Sequence, residues 1–282
     1  MTNILTAIKT LTTYPISDLV SDYQSKNRIH QIGEALEIFI KDIFADTVTE
    51  SDYQKKLVRY SEVFSYKGNA NNPPDLMLRH GDAVEVKKIE SLGAAIALNS
   101  SYPKSKLFYD SPLITTHCRN CEDWQEKDII YVIGVTEGKR LKLLWFIYGD
   151  CYAADREIYE RIIHTIANGI NEIPGVEFSE TKELGRVNNV DPLNLTYLRI
   201  RGMWGIKNPL SVFDYLNLDY HKNSSFQMIA LMQKSKYLSF PQQDREALAA
   251  LVNNNFQITD KDIKSPNNPV QLIPATVISY RL

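Results

Sequence analysis

Three charged residues between positions 75 and 87 have types and spacing that chemistry could use. Asp75 follows two prolines, and Glu85 and Lys87 come later with one valine between them. Side chains alternate between the two faces of a β-strand, so Glu85 and Lys87 share one face, about 6 to 7 Å apart. If a hairpin turns near Gly81, the midpoint of positions 75 and 87, Asp75 lies across from that pair. The pattern therefore predicts two carboxylates and one ammonium converging on one side of a hairpin.

This trio suits the metal-dependent hydrolysis of a phosphodiester. Mg²⁺ prefers hard oxygen ligands and keeps several waters, so the carboxylates of Asp75 and Glu85 could hold it together with phosphate oxygens. The metal would neutralise charge that develops on the phosphate and would acidify water. Lys87 offers a compact ammonium that could orient the attacking water or help to deprotonate it. The plain alternative is a surface ion-pair group, which is common and contributes about 0 to 1 kcal/mol.

The segments around the trio predict a helix followed by extended structure. Residues 28–45 carry apolar side chains at three- and four-residue steps, so they predict an amphipathic helix with Glu34 and Glu37 on its polar side. From about residue 58 the pattern changes to extended structure, which continues through both arms of the hairpin. A helical or mixed stretch and then a long loop are expected after it.

The central part of the chain predicts a covered sheet. Residues 128–135 and 142–149 are apolar on both faces, as the central strands of such a sheet are. Residues 155–173 have helical spacing and are predicted to cover it. Because strands and helices interleave, the predicted class is α/β or α+β, a mixed β-sheet flanked by helices.

The last third of the chain carries weaker patterns. Residues 196–209 predict a strand or bent ribbon that continues to about residue 216. Helices are predicted over residues 226–238 and 241–252, and a final strand over residues 272–282. No internal repeat is visible, which excludes solenoids and propellers.

Length and composition are those of an ordinary globular chain. The 282 residues are 44% hydrophobic and 23% charged, and we predict one domain over residues 1–282 with a catalytic core at about residues 28–180. No apolar run approaches the roughly 20 residues of a membrane helix, and the amino terminus lacks a secretory signal, so we expect a cytoplasmic protein with no membrane partner. The net charge of −2 excludes a uniformly cationic nucleic-acid coat but not a local basic cleft.

The three cysteines invite a zinc interpretation that the spacing does not favour. Cys118 and Cys121 form one CxxC pair, His117 precedes it and Cys151 lies downstream. A closed zinc site needs four ligands, so buried or loop thiols are the expectation.

Six longer stretches carry a resemblance to a known family. They are GEALEIFIKDIF, NPPDLMLRHGDAVEVKKIES, ALNSSYPKSKL, CRNCEDWQEKDIIYVIG, LWFIYGDCYAAD and LGRVNNVDPLNLTYLRIRGMWGIKNP. Asp75 behind its proline, the Glu85-Val86-Lys87 triplet and the upstream glutamate helix resemble the PD-(D/E)XK nuclease superfamily. The six stretches resemble the NgoPII group of type II restriction endonucleases over most of residues 28–210. The resemblance implies a restriction-endonuclease-like core, a mixed β-sheet with flanking helices.

The resemblance also implies an activity and its partners. The expected enzyme uses Mg²⁺ to cut both strands of double-stranded DNA at a short palindrome, GGCC in this group, and leaves 5′-phosphate ends. Asp75 and Glu85 would hold the metal, Lys87 would complete the catalytic set, and Glu37 would be an auxiliary carboxylate. A homodimer suits a palindrome because both have two-fold symmetry, although a monomer could nick the strands in turn. A matching DNA methyltransferase is expected in the same cell as a functional partner.

Two segments, at about residues 97–125 and 185–210, are predicted to contact DNA. The first holds a polar loop, and the second a ribbon whose glycines let the backbone approach a ligand closely. Arginine is the commonest reader of guanine, so two arginines spaced by two suit a GC-rich site. A plain surface loop and a solvated edge strand are the alternatives. The predicted DNA-binding residues are Asn99, Ser100, Ser101, Tyr102, Lys104, Lys106, Arg199, Arg201, Trp204 and Lys207.

Two other functions remain open on the sequence. A repair or junction nuclease of the same superfamily would prefer branched or damaged DNA. A DNA-binding regulator would keep the fold and lose the chemistry. The intact Asp75, Glu85 and Lys87 speak against the regulator, because carboxylates repel phosphate when no metal is bound.

Overall fold

The computed structural model describes residues 2–15, 18–19, 23, 32–69, 72–111, 113–179, 181, 183–218, 220–221 and 223–282. The strands are β1 (Phe64–Asn69), β2 (Asn72–Leu78), β3 (Ala83–Ile89), β4 (Ile96–Asn99), β5 (Lys106–Phe108), β6 (Glu126–Glu137), β7 (Arg140–Tyr148), β8 (Glu177–Phe178), β9 (Gly185–Asn188), β10 (Leu198–Ile200), β11 (Trp204–Ile206), β12 (Gln227–Gln233), β13 (Phe256–Lys264) and β14 (Leu272–Arg281). The helices are α1 (Ile4–Thr13), α2 (Ile32–Ala45), α3 (Tyr53–Val63), α4 (Thr116–Arg119), α5 (Gly149–Tyr152), α6 (Arg156–Asn171), α7 (Pro209–Val212), α8 (Lys234–Ser239) and α9 (Gln242–Ala249). None of the helices in the described ranges is long and apolar enough to cross a membrane.

One large mixed sheet forms the centre of the protein. Its strand order is β1-β2-β3-β6-β7-β12-β14-β13, and β5 pairs with β6 beside this path. The β3–β6 and β7–β12 pairs are parallel, and the others are antiparallel. The predicted fold class, a mixed sheet flanked by helices, is confirmed.

The buried apolar side chains form one cluster that runs from Ile4 to Ile278. Helix α2 packs closely on β6, because a side chain at Gly134 would have its Cβ only 2.5 Å from a methyl group of Leu36. The same helix also contacts β3. The single-domain boundaries stay a prediction.

Two small sheets lie outside the large one. Strands β8, β9 and β10 form an antiparallel sheet in the order β10-β9-β8, and β11 pairs with β4. The predicted bent ribbon of residues 196–209 therefore exists, but its two arms belong to different sheets. Residues 208–216 do not continue it, since they form α7 and a 3₁₀ turn. Asn208 starts α7 by accepting a hydrogen bond from the backbone of Leu210.

Two predictions in the first hundred residues need revision. The helix predicted at 28–45 is confirmed over Ile32–Ala45, and residues 28–31 lie outside the described residues. Extended structure from about residue 58 is wrong up to Phe64, because residues 53–63 form α3. Asp52 caps this helix by accepting hydrogen bonds from two backbone N–H groups of its first turn. The stretch after the hairpin contains turns and β4 in place of a helix.

The carboxyl-terminal third contains the largest error. Residues 227–233 are predicted as helix but form β12, which lies between β7 and β14. A strand buried on both faces shows no alternation, so its apolar run can be mistaken for a helix. Strand β13 is missed, while α9 and the final strand β14 are confirmed.

Helix α6 does not cover the large sheet as predicted. None of its residues, all of them described, is fully buried. Its Tyr159 stacks on Tyr102, with ring centroids 5.3 Å apart, and its Ile170 lies against Gly185 of β9. The periodicity predicted the helix but not the surface on which it packs.

A lysine of the carboxyl-terminal third ties the turn of the β2–β3 hairpin to β6. Lys236 of α8 donates hydrogen bonds to Asp82, which precedes β3, and to Asp128 in β6, at 2.7 and 2.6 Å. Tyr148 at the end of β7 also donates to Asp82, at 2.6 Å. The hairpin is therefore held at its turn by side chains from β7 and α8.

Candidate active site

The hairpin brings Asp75 beside Glu85. Leu76 pairs with Val84 and Met77 with Ala83, so the hairpin centres on position 80, one residue before the predicted turn at Gly81. In this register Asp75 faces the Glu85–Val86 segment. Its Oδ2 accepts a hydrogen bond of 2.6 Å from the backbone N–H of Val86. The backbone of β3 therefore fixes the carboxylate of β2.

Lys87 completes the group from the same strand. Its Nζ donates a hydrogen bond of 2.6 Å to Oε1 of Glu85. Val84 and Val86 are buried on the opposite face. The two carboxylates and the ammonium thus converge as the alternation of β3 requires.

Burial and mutual repulsion perturb this group. Burial first, and the charge of Glu85 second, raise the pKa of Asp75 to about 7. Burial works to lower the pKa of Lys87, but the charges of Glu85 and Asp75 outweigh it and raise that pKa above its ordinary value. A strongly perturbed carboxyl beside a charged partner in a cleft is typical of a functional site.

One oxygen of Glu85 is available to a metal ion. Glu85 is only 8% exposed, and its Oε2 is buried with no hydrogen-bond partner among the described residues. A buried carboxylate oxygen without a partner is unfavourable, and a hard cation would satisfy it. The donor set of Asp75 and Glu85 therefore fits Mg²⁺. In the described ranges no group of three or more His, Cys, Asp or Glu side chains could hold a metal, so water and phosphate oxygens would be the other ligands.

Glu37 lies at the margin of this group. Its side chain is 44% exposed and lies 3.8 Å from the ammonium of Lys41, one turn further along α2. Its charge still contributes to raising the pKa values of both Asp75 and Lys87. The described contacts give it an electrostatic influence on the site but no direct bond to the trio.

A cleft of about 720 Å³ opens over the trio. Its walls come from the hairpin, from the loop after β4, from α6 and from the ribbon of β9 to β11. Six of the predicted DNA-binding residues line it together with the trio: Asn99, Ser100, Ser101, Arg199, Arg201 and Trp204. The register of β11 and β4 explains part of this grouping, because Trp204 pairs with Asn99 across the two strands.

Four predicted DNA-binding residues lie elsewhere. Tyr102 is buried, with its hydroxyl donating to Glu160 at 3.0 Å. Lys104 is also buried, with its ammonium bonded to Ser101 Oγ and to the Tyr102 carbonyl, and burial lowers its pKa to about 8. Both residues are buried beneath the loop that follows β4. Lys106 pairs with Glu126 at 2.7 Å, and Lys207 is exposed outside the lining of the cleft.

Sequence reasoning missed two residues of the site. Glu183 lines the cleft beside the two arginines, but no motif surrounds it in the sequence. Gly68 in β1 lies against β2, where an added Cβ would be 2.3 Å from the carbonyl oxygen of Pro74 and 3.1 Å from the Cα of Asp75. A glycine in a strand is a signal of such a close approach, and it could have been found.

The three cysteines are free thiols. Cys118 is buried with its Sγ 3.3 Å from the sulfur of Met77, and Cys121 Sγ lies 3.1 Å from the Cys118 carbonyl. Burial raises the pKa of Cys118 to about 12, so this thiol stays protonated.

Comparison with known proteins decides the family. The sequence model of the NgoPII restriction endonuclease family matches residues 2–264. The chain is 49% identical, over 283 aligned residues, to the type II restriction enzyme NgoPII of Neisseria gonorrhoeae, with 99% of this chain and 100% of that protein covered. The chain belongs to the NgoPII restriction endonuclease family. No solved structure matches it.

Membership of the NgoPII family confirms the resemblance predicted from the six stretches. It makes the chain an enzyme, a type II restriction endonuclease that cleaves DNA at specific sites within a restriction-modification system. The assignment of individual site residues stays a prediction.

Proposed function

We propose that the chain cuts both strands of DNA at a short palindrome with Asp75, Glu85 and Lys87 as its catalytic residues. The observation that carries the proposal is the convergence of these three side chains in a cleft, with one buried oxygen of Glu85 unpartnered. Double-stranded DNA is the substrate, and the phosphodiester bond is hydrolysed to leave a 5′-phosphate end. Segments 97–125 and 185–210 form the DNA-recognition elements.

Asp75 and Glu85 would hold Mg²⁺ in this proposal. When bound, the cation supplies positive charge to the phosphate and acidifies water. The carboxylate of Asp75 is fixed by the backbone N–H of Val86, so its position does not depend on a flexible partner. Glu37 adds negative charge from α2, as an auxiliary carboxylate.

Lys87 orients the attacking water and stabilises the negative charge of the transition state. Its pKa is raised above the ordinary value, so the ammonium keeps its proton at neutral pH. A protonated Lys87 can donate hydrogen bonds but cannot act as the base. A protonated ammonium suits the orienting role that we propose for Lys87.

The recognition site, the assembly and the partner enzyme rest on the family. GGCC is the site carried over from the resemblance, and Arg199 and Arg201 in the cleft suit guanine-rich DNA. A homodimer would present two active sites to the two strands of a palindrome. A methyltransferase that modifies the same sequence would protect the genome of the host.

Plasmid digestion with Mg²⁺, followed by sequencing of the fragment ends, tests the proposal. Discrete fragments with 5′-phosphate ends at one palindrome are expected. Lys87→Ala should lower the cleavage rate by about 10²- to 10⁴-fold and leave DNA binding nearly unchanged. Lys88→Ala is the matched control, because the neighbouring Lys88 pairs with Glu90 at 2.6 Å and lies outside the lining of the cleft.

Three outcomes would contradict the proposal. Turnover retained in Lys87→Ala removes this residue from the mechanism. Cleavage only of branched or damaged DNA favours a repair nuclease. Specific binding with no cleavage in Mg²⁺ favours a regulator that has lost the chemistry.

A further inference from the structure

One carboxylate in the cleft holds both arginines of the ribbon. Glu183 accepts two hydrogen bonds from Arg199, from Nε to Oε2 at 2.9 Å and from Nη2 to Oε1 at 2.6 Å. The same Oε1 also accepts from Nε of Arg201. The side chain of Glu183 is 16% exposed, and those of the two arginines are 50% exposed. All three residues line the cleft above the catalytic trio.

The backbone fixes this carboxylate beside the arginines. Glu183 lies two residues before β9, and the N–H of Leu184 donates to the carbonyl of Ile200 at 3.1 Å. Strands β9 and β10 pair with Arg199 opposite Arg186. The contact between Glu183 and the two arginines is therefore set by strand register as well as by the side chains.

The contact uses only one edge of each guanidinium. A guanidinium has a side edge, formed by Nε and one terminal nitrogen, and an end edge, formed by the two terminal nitrogens. Glu183 occupies the side edge of Arg199 and the Nε of Arg201. The end edges of both arginines keep the paired donors that match O6 and N7 of guanine. The carboxylate thus orients the arginines without blocking their reading edges.

Charge also explains why a carboxylate is present in a DNA cleft. Two guanidiniums close together repel each other, and one carboxylate between them reduces that repulsion. The hydrogen bonds from Arg199 and Arg201 lower the pKa of Glu183, so it is ionised when it makes them. The cluster keeps a net charge of +1, which still favours a phosphate backbone.

We propose that Glu183 is a specificity-determining positioning residue that presents Arg199 and Arg201 to guanine bases. This inference rests on the proposed function, because it takes the two arginines as readers of DNA bases. Glu183 itself touches neither the base nor the scissile phosphate. It acts by fixing the direction of the arginines that do.

Loss of this carboxylate should weaken sequence discrimination and strengthen non-specific binding. In Glu183→Gln one acceptor oxygen remains, but the negative charge is gone and the arginines are free to turn. Affinity for the recognition sequence should fall by about 10-fold or more, because bidentate contacts to guanine depend on direction. Affinity for unrelated DNA should rise, because the cleft gains net positive charge.

The experiment measures dissociation constants of short duplexes without Mg²⁺, so that no cleavage occurs. One duplex carries the sequence at which the wild-type enzyme cuts plasmid DNA, and another carries a single replaced G·C pair. The proteins are wild type, Glu183→Gln, Glu183→Ala and the control Glu177→Gln. Glu177, in β8 of the same small sheet, accepts from Asn189 and is exposed, and it makes no hydrogen bond to Arg199 or Arg201. Thermal unfolding checks the fold of each variant.

A drop of about 10-fold or more in the ratio of the two affinities in Glu183→Gln, with Glu177→Gln unchanged, supports the inference. Cleavage by Glu183→Gln in Mg²⁺ should shift in the same direction, toward sites that differ by one base pair. A ratio equal to that of wild type overturns it, because Glu183 would then only reduce the positive charge of the cleft. A specific affinity that rises in Glu183→Ala also overturns it, because Glu183 would then block the arginines. If wild-type enzyme neither cuts plasmid DNA nor discriminates between the duplexes, the proposed function fails and not this inference alone.

Discussion

The β2–β3 hairpin and the ribbon of β9 to β11 face the same cleft but are held in place by different forces. The proposed catalytic residues lie on β2 and β3, inside the large sheet, and the buried Val84 and Val86 anchor β3 from its other face. A backbone N–H fixes Asp75. The ribbon belongs to sheets of only two and three strands, and Leu193, Leu195 and other apolar side chains are exposed around it. Its arginines are fixed chiefly by ion pairs to Glu183.

Because of this difference, we expect DNA cleavage and DNA recognition to respond differently to substitutions and to salt. A residue set by a packed sheet moves little unless the core itself changes. A partly exposed ion pair weakens as salt screens it, so the geometry of the ribbon depends on solution conditions. We therefore expect changes in the hairpin to affect the cleavage rate and stability, and changes in the ribbon to affect binding and specificity.

The largest expected effect is that of Asp75→Asn, which removes one of the two predicted metal ligands. Cleavage should fall by about 10³-fold or more, since the group acts directly in the reaction. Specific DNA binding without metal should be retained or strengthened, because a carboxylate no longer repels the phosphate. Cleavage and binding assays on the same duplex check this. An equal loss of cleavage and of specific binding would contradict the expected difference between the hairpin and the ribbon.

The same variant should change how the stability of the metal-free protein depends on pH. The pKa of Asp75 is about 7 in the folded protein, raised first by burial and then by Glu85, and about 3.9 in an unfolded chain. The folded state therefore binds the proton more tightly, and stability is lost as pH rises from about 4 to 7. Thermal unfolding should give similar Tm values at pH 4, and a Tm higher by a few degrees for Asp75→Asn at pH 8. An equal difference at both pH values would contradict this assignment.

A smaller effect is expected from Gly68→Ala, which changes no functional group. Its Cβ would meet the backbone of Pro74 and Asp75, so β2 must shift. We expect a destabilisation of about 1 to 3 kcal/mol, and a loss of cleavage rate of about 10-fold because the carboxylate is displaced. Gly93→Ala is the matched control, since no atom lies within 4 Å of an added Cβ there. Thermal unfolding and single-turnover cleavage measure both effects; a Gly68→Ala enzyme as active and stable as the control would show that the hairpin is less rigid than described.

The smallest effect is expected from Lys207→Ala in the segment after β11. Lys207 is exposed and lies outside the lining of the cleft, so we expect it to contact the DNA backbone and no base. Its loss should weaken binding to all sequences by a similar small factor and reduce the salt dependence by about one ion. Lys139→Ala, in the exposed turn between β6 and β7, is the control. Salt titrations of affinity measure this, and a selective loss at the recognition sequence would place Lys207 among the base-reading residues.

The sequence was sufficient to predict the β2–β3 hairpin because local rules determine it. Alternation along β3 places Glu85 and Lys87 together, and a short turn brings back Asp75. The strands β6 and β7 are also local features, long and apolar with a turn between them. These elements needed no knowledge of distant contacts.

The sequence was insufficient where the outcome depends on partners far along the chain. β12 is apolar without alternation, and only its place between β7 and β14 makes it a strand. Helix α6 shows an apolar face but not which surface receives it. Glu183 meets Arg199 and Arg201 only because β9 and β10 pair, and no spacing between them marks that contact. Lys104 is of a residue type that often contacts DNA, but the fold of its loop buries it.

The position of β12 has a consequence for how the protein is made. The large sheet ends at β7 until β12 and β14 have been synthesised. The hydrogen bonds from Lys236 to Asp82 and Asp128 cannot form earlier either. A ribosome-bound chain that ends before residue 227 therefore carries all three proposed catalytic residues on a sheet with an open edge. Nuclease activity should appear only after the last third of the polypeptide has emerged, which sets a delay between translation of the catalytic strands and the first possible cut.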